Sequence, residues 1–291
     1  MLIPPQIGQM PVLDLLFRKN PIKLLLERWG LTKTVFPVTA FAQRRSSERA
    51  AEMAKIKESG SIPSDAGSPQ TRGVDLLTKF TVAQHEHPAF MTDTQVLTAA
   101  VSMVFAGSET TAISLSAVFY HLLRHRPAYA KLMQELDDAL RGGAIAARPS
   151  GVVSWAESQA LPYLDAVVQE SFRLHPAAGL VLERVVPAGG VDVLGERVPG
   201  GAIVGCNAWV LHRRPEVFGE DADAFRPERW LEAGPERLRA MRAAMFQFGA
   251  GARTCIGRNI SLLEVYKLVP SLLRRFEVRL LRVLHVKMSS R

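Results

Sequence analysis

The stretch richest in chemistry is Phe248-Gly249-Ala250-Gly251-Ala252-Arg253-Thr254-Cys255-Ile256-Gly257, which runs directly into a helical pattern. Two glycines ahead of a cysteine let the backbone turn tightly and press against a flat ligand. A cysteine opening a helix meets unpaired N–H groups and the positive end of the helix dipole, which favour a negatively charged sulfur. Such a sulfur is a strong axial ligand for heme iron and pushes electron density toward O–O cleavage. Arg253 is spaced to pair with a carboxylate of that ligand by charge-assisted hydrogen bonds, and Gly257 lets the following helix come close. A lone cysteine is more often a buried, inert thiol; the ten-residue pattern is what weighs against that reading here.

Three earlier stretches add to it. Ala106-Gly107-Ser108-Glu109-Thr110-Thr111 sits in the middle of a long helical pattern. Glycine weakens a helix there, and a Thr hydroxyl bonding the preceding turn's carbonyl is expected to distort it locally, opening a groove for dioxygen and water. Glu170 and Arg173 share one helix face through their three-residue spacing, although such pairs on a surface contribute only about 0–1 kcal/mol. Leu182-Glu183-Arg184-Val185 places a basic residue in a short β-rich piece, and Phe225-Arg226-Pro227-Glu228-Arg229-Trp230 lies in an irregular segment further on.

The cysteine stretch resembles the heme-binding loop of the cytochrome P450 superfamily, Phe-x-x-Gly-x-Arg-x-Cys-x-Gly, with every specified position matched. The other stretches follow in the family's order. The resemblance implies a mainly α fold with minor β structure and a heme b cofactor (iron protoporphyrin IX). Cys255 becomes the axial ligand of the heme iron. Phe248, Gly249 and Gly257 shape the heme's seat, and Arg253 and Arg184 hold its propionates. Glu109 and Thr110 become an acid–alcohol pair that delivers protons. Glu170, Arg173 and Arg229 become a buried scaffold that holds the cysteine loop, with no part in bond making. The implied reaction inserts one oxygen atom of O2 into a hydrophobic substrate, with electrons from NADPH through a flavoprotein reductase. A basic face near Arg253 and Arg258 suits an acidic partner of that kind.

The resemblance runs over residues 75–276. Residues 1–74, with Pro11-Val12-Leu13-Asp14 and Asn20-Pro21, look like the variable region of fungal, microsomal-type members, and residues 277–291 are an atypical tail. The family's membrane anchor and early helices are expected to be missing, as is its final hairpin. Intact relatives are implied to lie on the cytosolic face of the endoplasmic reticulum, whereas this chain is expected to be cytoplasmic. Two alternatives stand beside the monooxygenase. One is a non-catalytic fragment or remnant unable to hold heme. The other is a heme-thiolate isomerase or dehydratase, against which the acid–alcohol pair argues. Ser261 replaces the family's usual Ala.

The elements that must position these residues are legible as periodicity. Helices are predicted over 13–28, 41–57, 91–124, from Pro127 to 140, over 161–174 and over 256–274, with a flexible loop over 59–73. Thr92 and Gln95 have capping-box spacing. Residues 96–123 are apolar nearly all round, which predicts a helix through the middle of a core. Small hairpins are predicted over 181–210, irregular chain to Trp230 and a strand over 276–281. The 291 residues are 47% hydrophobic and 22% charged, an ordinary globular balance. Lys and Arg number 36 against 28 Asp and Glu, but the excess is spread out and forms no nucleic-acid tail.

The longest mostly apolar run, residues 96–107, falls short of the about 20 residues that a spanning helix needs, so no membrane crossing is expected. Only two cysteines occur, so no disulfide framework is implied. Cys206 is expected to be buried. His121 and His125 have zinc-helix spacing, but Leu122 stands where a catalytic Glu would be. His85-Glu86-His87 is placed in a loop, and Asn259-Ile260-Ser261 is a formal glycosylation sequon inside a helix.

Overall fold

A computed structural model describes Trp29, residues 37–58 and residues 75–279. The predicted helix over 13–28 and loop over 59–73 lie outside the described residues. The chain forms two compact units, Met1–Phe105 and Ala106–Arg291. The described residues are mainly helical with minor β structure.

In the first unit, α1 (Pro37–Glu58) is laced by Arg45–Glu48 and Arg49–Glu52 pairs at 2.7 and 2.9 Å, and its described side chains are mostly exposed. Helix α2 (Leu76–Glu86) begins at Asp75, whose carboxylate accepts the Thr78 N–H at 2.9 Å. It includes His85 and Glu86, so these two residues belong to a helix end and not to the predicted loop. Helix α3 (Asp93–Arg124) starts at the capping box. Gln95 accepts the Thr92 N–H at 2.7 Å, and Thr92 Oγ1 accepts the Gln95 N–H at 3.4 Å.

Beyond Phe105, α3 belongs to the second unit. Its apolar residues surround the axis, yet only one stripe is buried: Thr111, Ser114, Ala117, Val118 and Leu122, spaced by three and four residues as one helix face requires. Phe105 is 66% exposed, and Ile113 and Tyr120 are exposed too. The expected all-round burial is therefore corrected: composition shows that a face can be buried, not that a partner lies against it. Among the described residues α3 is also the one helix long and apolar enough to cross a membrane, by length and composition. The twelve-residue run considered in the sequence is thus part of a longer apolar element.

The second unit continues through α4 (Arg126–Arg141), α5 (Trp155–Gln159) and α6 (Pro162–Leu174). Leu161, at the N-cap of α6, has no capping side chain. Glu135 of α4 supplies the missing acceptors, taking the Tyr163 and Leu164 N–H groups at 2.7 and 2.9 Å. Pro162 at the first helical position has no N–H, so Glu135 satisfies two of the three donors that this helix start leaves open.

Two antiparallel ribbons follow, β1 (Leu182–Val185) with β4 (Ile203–Cys206), and β2 (Val191–Val193) with β3 (Glu196–Val198). Leu194 and Gly195 turn the inner hairpin with φ of 52° and 89°, the left-handed pair that two-residue hairpin loops need. Leu182 faces Cys206 across the outer ribbon. Cys206 is exposed, not buried as predicted, because among the described residues no layer packs over β4 of this two-stranded ribbon.

Short helices α7 (Ala208–Leu211), α8 (Pro215–Phe218) and α9 (Arg229–Glu232) punctuate the irregular segment, followed by α10 (Pro235–Ala244) and α11 (Arg258–Arg275). Residues 276–279 form no strand, a further correction, since among the described residues no neighbouring strand offers them a ladder; residues 280 and 281 lie outside the described residues. The core joins α3, α4, α6 and α11 through residues such as Val118, Leu122, Leu132, Leu164, Val167 and Val269. A second cluster packs Phe218, Ala222, Trp230 and Met241 on Ala166.

Candidate functional site

Helix α6 carries Glu170 and Arg173 side by side, both 0% exposed. Arg173 Nε donates to Glu170 Oε2 at 2.9 Å and Nη2 to Oε1 at 2.8 Å, a bidentate pair. The same carboxylate accepts Arg229 Nε, the Arg226 N–H and Trp230 Nε1, each at 2.9 Å. The rest of the Arg173 guanidinium is spent on the carbonyls of His212, Ala222 and Ala224. Arg229 reaches the Phe218 carbonyl and both the carboxylate and carbonyl of Asp221. Burial pushes the Asp221 carboxyl up, but hydrogen bonds from Arg229 and Arg226 outweigh it and hold the group below the usual carboxylate range. Removing one partner from a buried, hydrogen-bonded ion pair costs about 3–5 kcal/mol, because the other charge is left uncompensated. This arrangement therefore lies far from the weak surface pair that three-residue spacing alone describes.

His212 follows α7 and was not singled out in the sequence. It is 0% exposed and joins three elements. Its Nδ1 lies 3.0 Å from the Arg173 carbonyl, its Nε2 accepts the Phe246 N–H at 2.7 Å, and its carbonyl takes Arg173 Nη1 at 2.8 Å. Burial, with Arg173 and Arg213 nearby, lowers its pKa to about 4, against a hydrogen bond to Arg173 that raises it. No local pattern marks such a residue, since its partners are mostly backbone atoms of distant segments.

Phe246 leads into the cysteine loop. Its carbonyl accepts the Gly249 N–H at 2.9 Å, and Gly249 and Gly251 take φ of 67° and 69°, where glycine is favoured. A 3-10 turn over Gly251–Arg253 brings the chain back, and the Cys255 N–H donates to the Phe248 carbonyl at 2.9 Å. The Phe248 ring stands edge-on to Phe172 of α6 at 5.9 Å, and the Arg258 guanidinium lies 5.9 Å from the same ring. The N-cap of α11 is Gly257, so Cys255 lies in the turn before the helix, two residues earlier than the predicted boundary implied. A side chain at Gly257 would meet Cys255 Sγ at 3.8 Å. Cys255 is exposed with a free thiol, and Arg253 is exposed.

Leu182 at the start of β1 reaches to 3.5 Å from where a Gly249 side chain would stand. Arg184, two residues along, shares that strand face by alternation. It is exposed, and its Nη1 donates to the Glu183 carbonyl at 2.6 Å.

Glu109 and Thr110 are both exposed on α3. Thr110 Oγ1 donates to the Ala106 carbonyl at 2.6 Å, the back-bond expected of it. The helix nevertheless stays α-helical through this turn, so the predicted distortion is corrected: the hydroxyl adds to the backbone bonding without replacing it. Next to it, buried Thr111 donates to Ser261 Oγ at 3.3 Å, tying α3 to α11. Ser261 thus supplies an acceptor that an Ala at this position could not.

Beneath the loop, a cavity of about 410 Å3 is lined by Asp165, Arg242, Phe248, Thr254, Arg258 and Tyr266, among others. The Tyr266 hydroxyl donates to Asp165, and its burial beside that carboxylate drives the phenol pKa upward.

Among the described residues no group of three His, Cys, Asp or Glu side chains could hold a metal ion. One thiol is a poor site for a bare ion, whose protein sites supply three or four ligands. It suits a metal whose other positions are filled by a macrocycle. An accessible sulfur in a glycine-shaped loop, beside Ile256 at 84% exposure and exposed Ile260, fits heme in that respect.

Comparison with known proteins identifies the family. The family model for Cytochrome P450 matches residues 38–290. A cytochrome P450 monooxygenase of Aspergillus terreus is 42% identical over 273 residues, which is 94% of this chain and 52% of that protein. Cytochrome P450 monooxygenase cicH of Emericella nidulans is 42% identical over 274 residues, 94% of this chain and 50% of the relative. A pisatin demethylase of Fusarium vanettenii is 43% identical over 175 residues, covering 60% of this chain and 32% of that protein. The chain spans about half the length of the first two relatives.

Proposed function

The chain belongs to the cytochrome P450 family, and from that premise we propose that it is the heme-carrying part of a monooxygenase acting on an apolar organic substrate. The observation that carries the reading is the presentation of Cys255: an exposed free thiol in a loop fixed to the Phe248 carbonyl and backed by Phe172. Heme, when bound, supplies the activation of O2 from which one oxygen atom enters the substrate.

This chain's residues have distinct tasks around that chemistry. Cys255 offers sulfur as the axial ligand, and Gly249, Gly257 and Phe248 leave room for a flat ring. Arg253 and Arg184 are the cations for its propionates; the shared face of Leu182 and Arg184 supports the second assignment. Glu109 and Thr110 are exposed on one turn of α3, where a carboxylate and a hydroxyl can pass a proton inward. Thr110 holds its hydroxyl against Ala106, leaving its lone pairs available as acceptors. Glu170, Arg173 and Arg229 hold the scaffold. Electrons from NADPH through a flavoprotein reductase complete the reaction, and exposed Arg253 and Arg258 offer positive charge to an acidic partner of that kind. Placement at the cytosolic face of the endoplasmic reticulum belongs to the same reading for intact relatives, and a cytoplasmic location for this chain.

The test is turnover under 18O2 with heme-loaded chain, reductase, NADPH and a panel of apolar substrates. The reading expects one 18O atom in the product and no product without NADPH. Product formed without NADPH or O2 overturns it in favour of an isomerase or dehydratase. A second reading, a chain that associates with another polypeptide and does not turn over alone, is favoured by the exposed Phe105, Ile113 and Ile256. Limited proteolysis during heme titration separates the two. Resistant protein with stoichiometric heme supports the monooxygenase, and rapid cleavage without heme uptake supports the association reading.

A further inference from the structure

We propose that His212 is a positioning residue for the cysteine loop: its neutral imidazole, donating to α6 and accepting from Phe246, couples the buried Glu170–Arg173–Arg229 network to the backbone that presents Cys255. The inference rests on the reading that Cys255 carries the heme and adds to it the device that sets the loop's position.

The protonation pattern of the ring follows from its partners. The Phe246 N–H can only donate, so Nε2 is its unprotonated acceptor at 2.7 Å. The proton then sits on Nδ1 and is donated to the Arg173 carbonyl at 3.0 Å. The charged groups facing the ring favour this neutral form. Arg173 and Arg213 both oppose a positive imidazole, and the Glu170 carboxylate is already occupied by Arg173 and Arg229. The His212 carbonyl, held by Arg173 Nη1, fixes the residue from its other end.

From the ring the linkage runs through few bonds. The peptide that donates to His212 also offers the Phe246 carbonyl to the Gly249 N–H, at 2.9 Å. Gly249 opens the left-handed turn, and the Phe248 carbonyl between them takes the Cys255 N–H at 2.9 Å. On the approach to the loop, Met245 bonds only back into α10 through Arg242, at 3.3 Å, and the buried Gln247 Oε1 has no partner among the described residues. Met245 packs on both apolar clusters, and His212 is the side chain that ties the incoming backbone to the scaffold by a hydrogen bond.

Three substitutions separate this role from mere packing. In His212→Gln the side-chain oxygen reaches the place of Nε2 and keeps an acceptor for Phe246. His212→Asn keeps a donor near Nδ1 but does not reach Phe246, and His212→Leu keeps only bulk. Hydrogen exchange is read on heme-loaded chain at the Phe246, Gly249 and Cys255 amides, with the Trp230 indole as the scaffold control. The thiolate-type Soret band under reduction and carbon monoxide is read on the same samples. His212→Asn and His212→Leu are expected to lose about tenfold protection at the three loop amides, the size expected for one hydrogen bond. They should also lose the thiolate band faster than wild type, with Trp230 protection retained and His212→Gln restoring both readouts.

Equal behaviour of Gln and Asn at the loop amides would overturn the inference, as would loss confined to Trp230. If Leu unfolds, the Gln–Asn pair decides alone. A wild-type sample without the thiolate band overturns the heme assignment instead, and the exchange pattern still judges the His212 linkage by itself.

Discussion

Glu170 and Cys255 carry the two strongest parts of the sequence pattern, and the structure treats them in opposite ways. Glu170 is wholly buried, its carboxylate saturated by Arg173, Arg229, Trp230 and the Arg226 amide. Cys255 is exposed, and its position is set by its own backbone N–H and the glycines around it. Scaffold residues use their side chains to hold the fold. Cys255 makes its own bond through the main chain, which leaves its side chain exposed. The two regions should then respond oppositely to mutation.

The largest effect is expected at the scaffold. Glu170→Ala strands Arg173 and Arg229 as buried cations, and unfolding in urea should show a loss of about 3–5 kcal/mol. A loss below about 1 kcal/mol would mean that the network is no more than an exposed pair.

Acid comes next. His212 has a native pKa of about 4 against an ordinary 6.5. Well above pH 6.5 it is neutral in both folded and unfolded chains, so it adds no pH dependence there. Between pH 6.5 and 4 the unfolded chain binds a proton that the native state refuses, so stability falls with pH, by up to about 1.4 kcal/mol per unit. His121, lowered to about 4 by burial and by His125 and His175, acts in the same direction. Urea midpoints measured from pH 7 to 4.5 should fall, and His212→Gln should flatten the slope. A flat wild-type profile would contradict the buried neutral imidazole.

A smaller loss is expected from Glu135→Ala, which leaves two N–H groups at the start of α6 without acceptors. About 1–2 kcal/mol is the scale for a lost helix cap, read by thermal unfolding. The smallest is Cys255→Ala, which should change stability by no more than about 0.5 kcal/mol because the side chain is exposed.

What could be read from the sequence follows the range of the interactions involved. The Thr92–Gln95 capping box and the helices around it depend on neighbours three or four residues apart, and periodicity shows them. The cysteine loop was visible because tight turns demand glycine locally. Helix α10 escaped notice: its Arg-rich residues, mostly exposed, give little apolar stripe, though Pro235 and Glu236 were start signals. His212 escaped because it acts through the backbone of Arg173 and Phe246, and backbone partners leave no trace in residue type. Burial was read least well. Cys206 and the outer face of α3 are apolar by composition, and only the surrounding chain decides whether such residues are covered.

The central claim is that the Cys255 sulfur is the axial ligand of a bound heme. Its most direct test is the reduced, carbon-monoxide-bound absorption spectrum of heme-loaded wild type beside Cys255→Ala. Wild type is expected to show the red-shifted Soret band of thiolate-ligated heme and the variant to lack it, with both proteins equally folded. The same band in both, or a nitrogen-ligated spectrum in wild type, would contradict it.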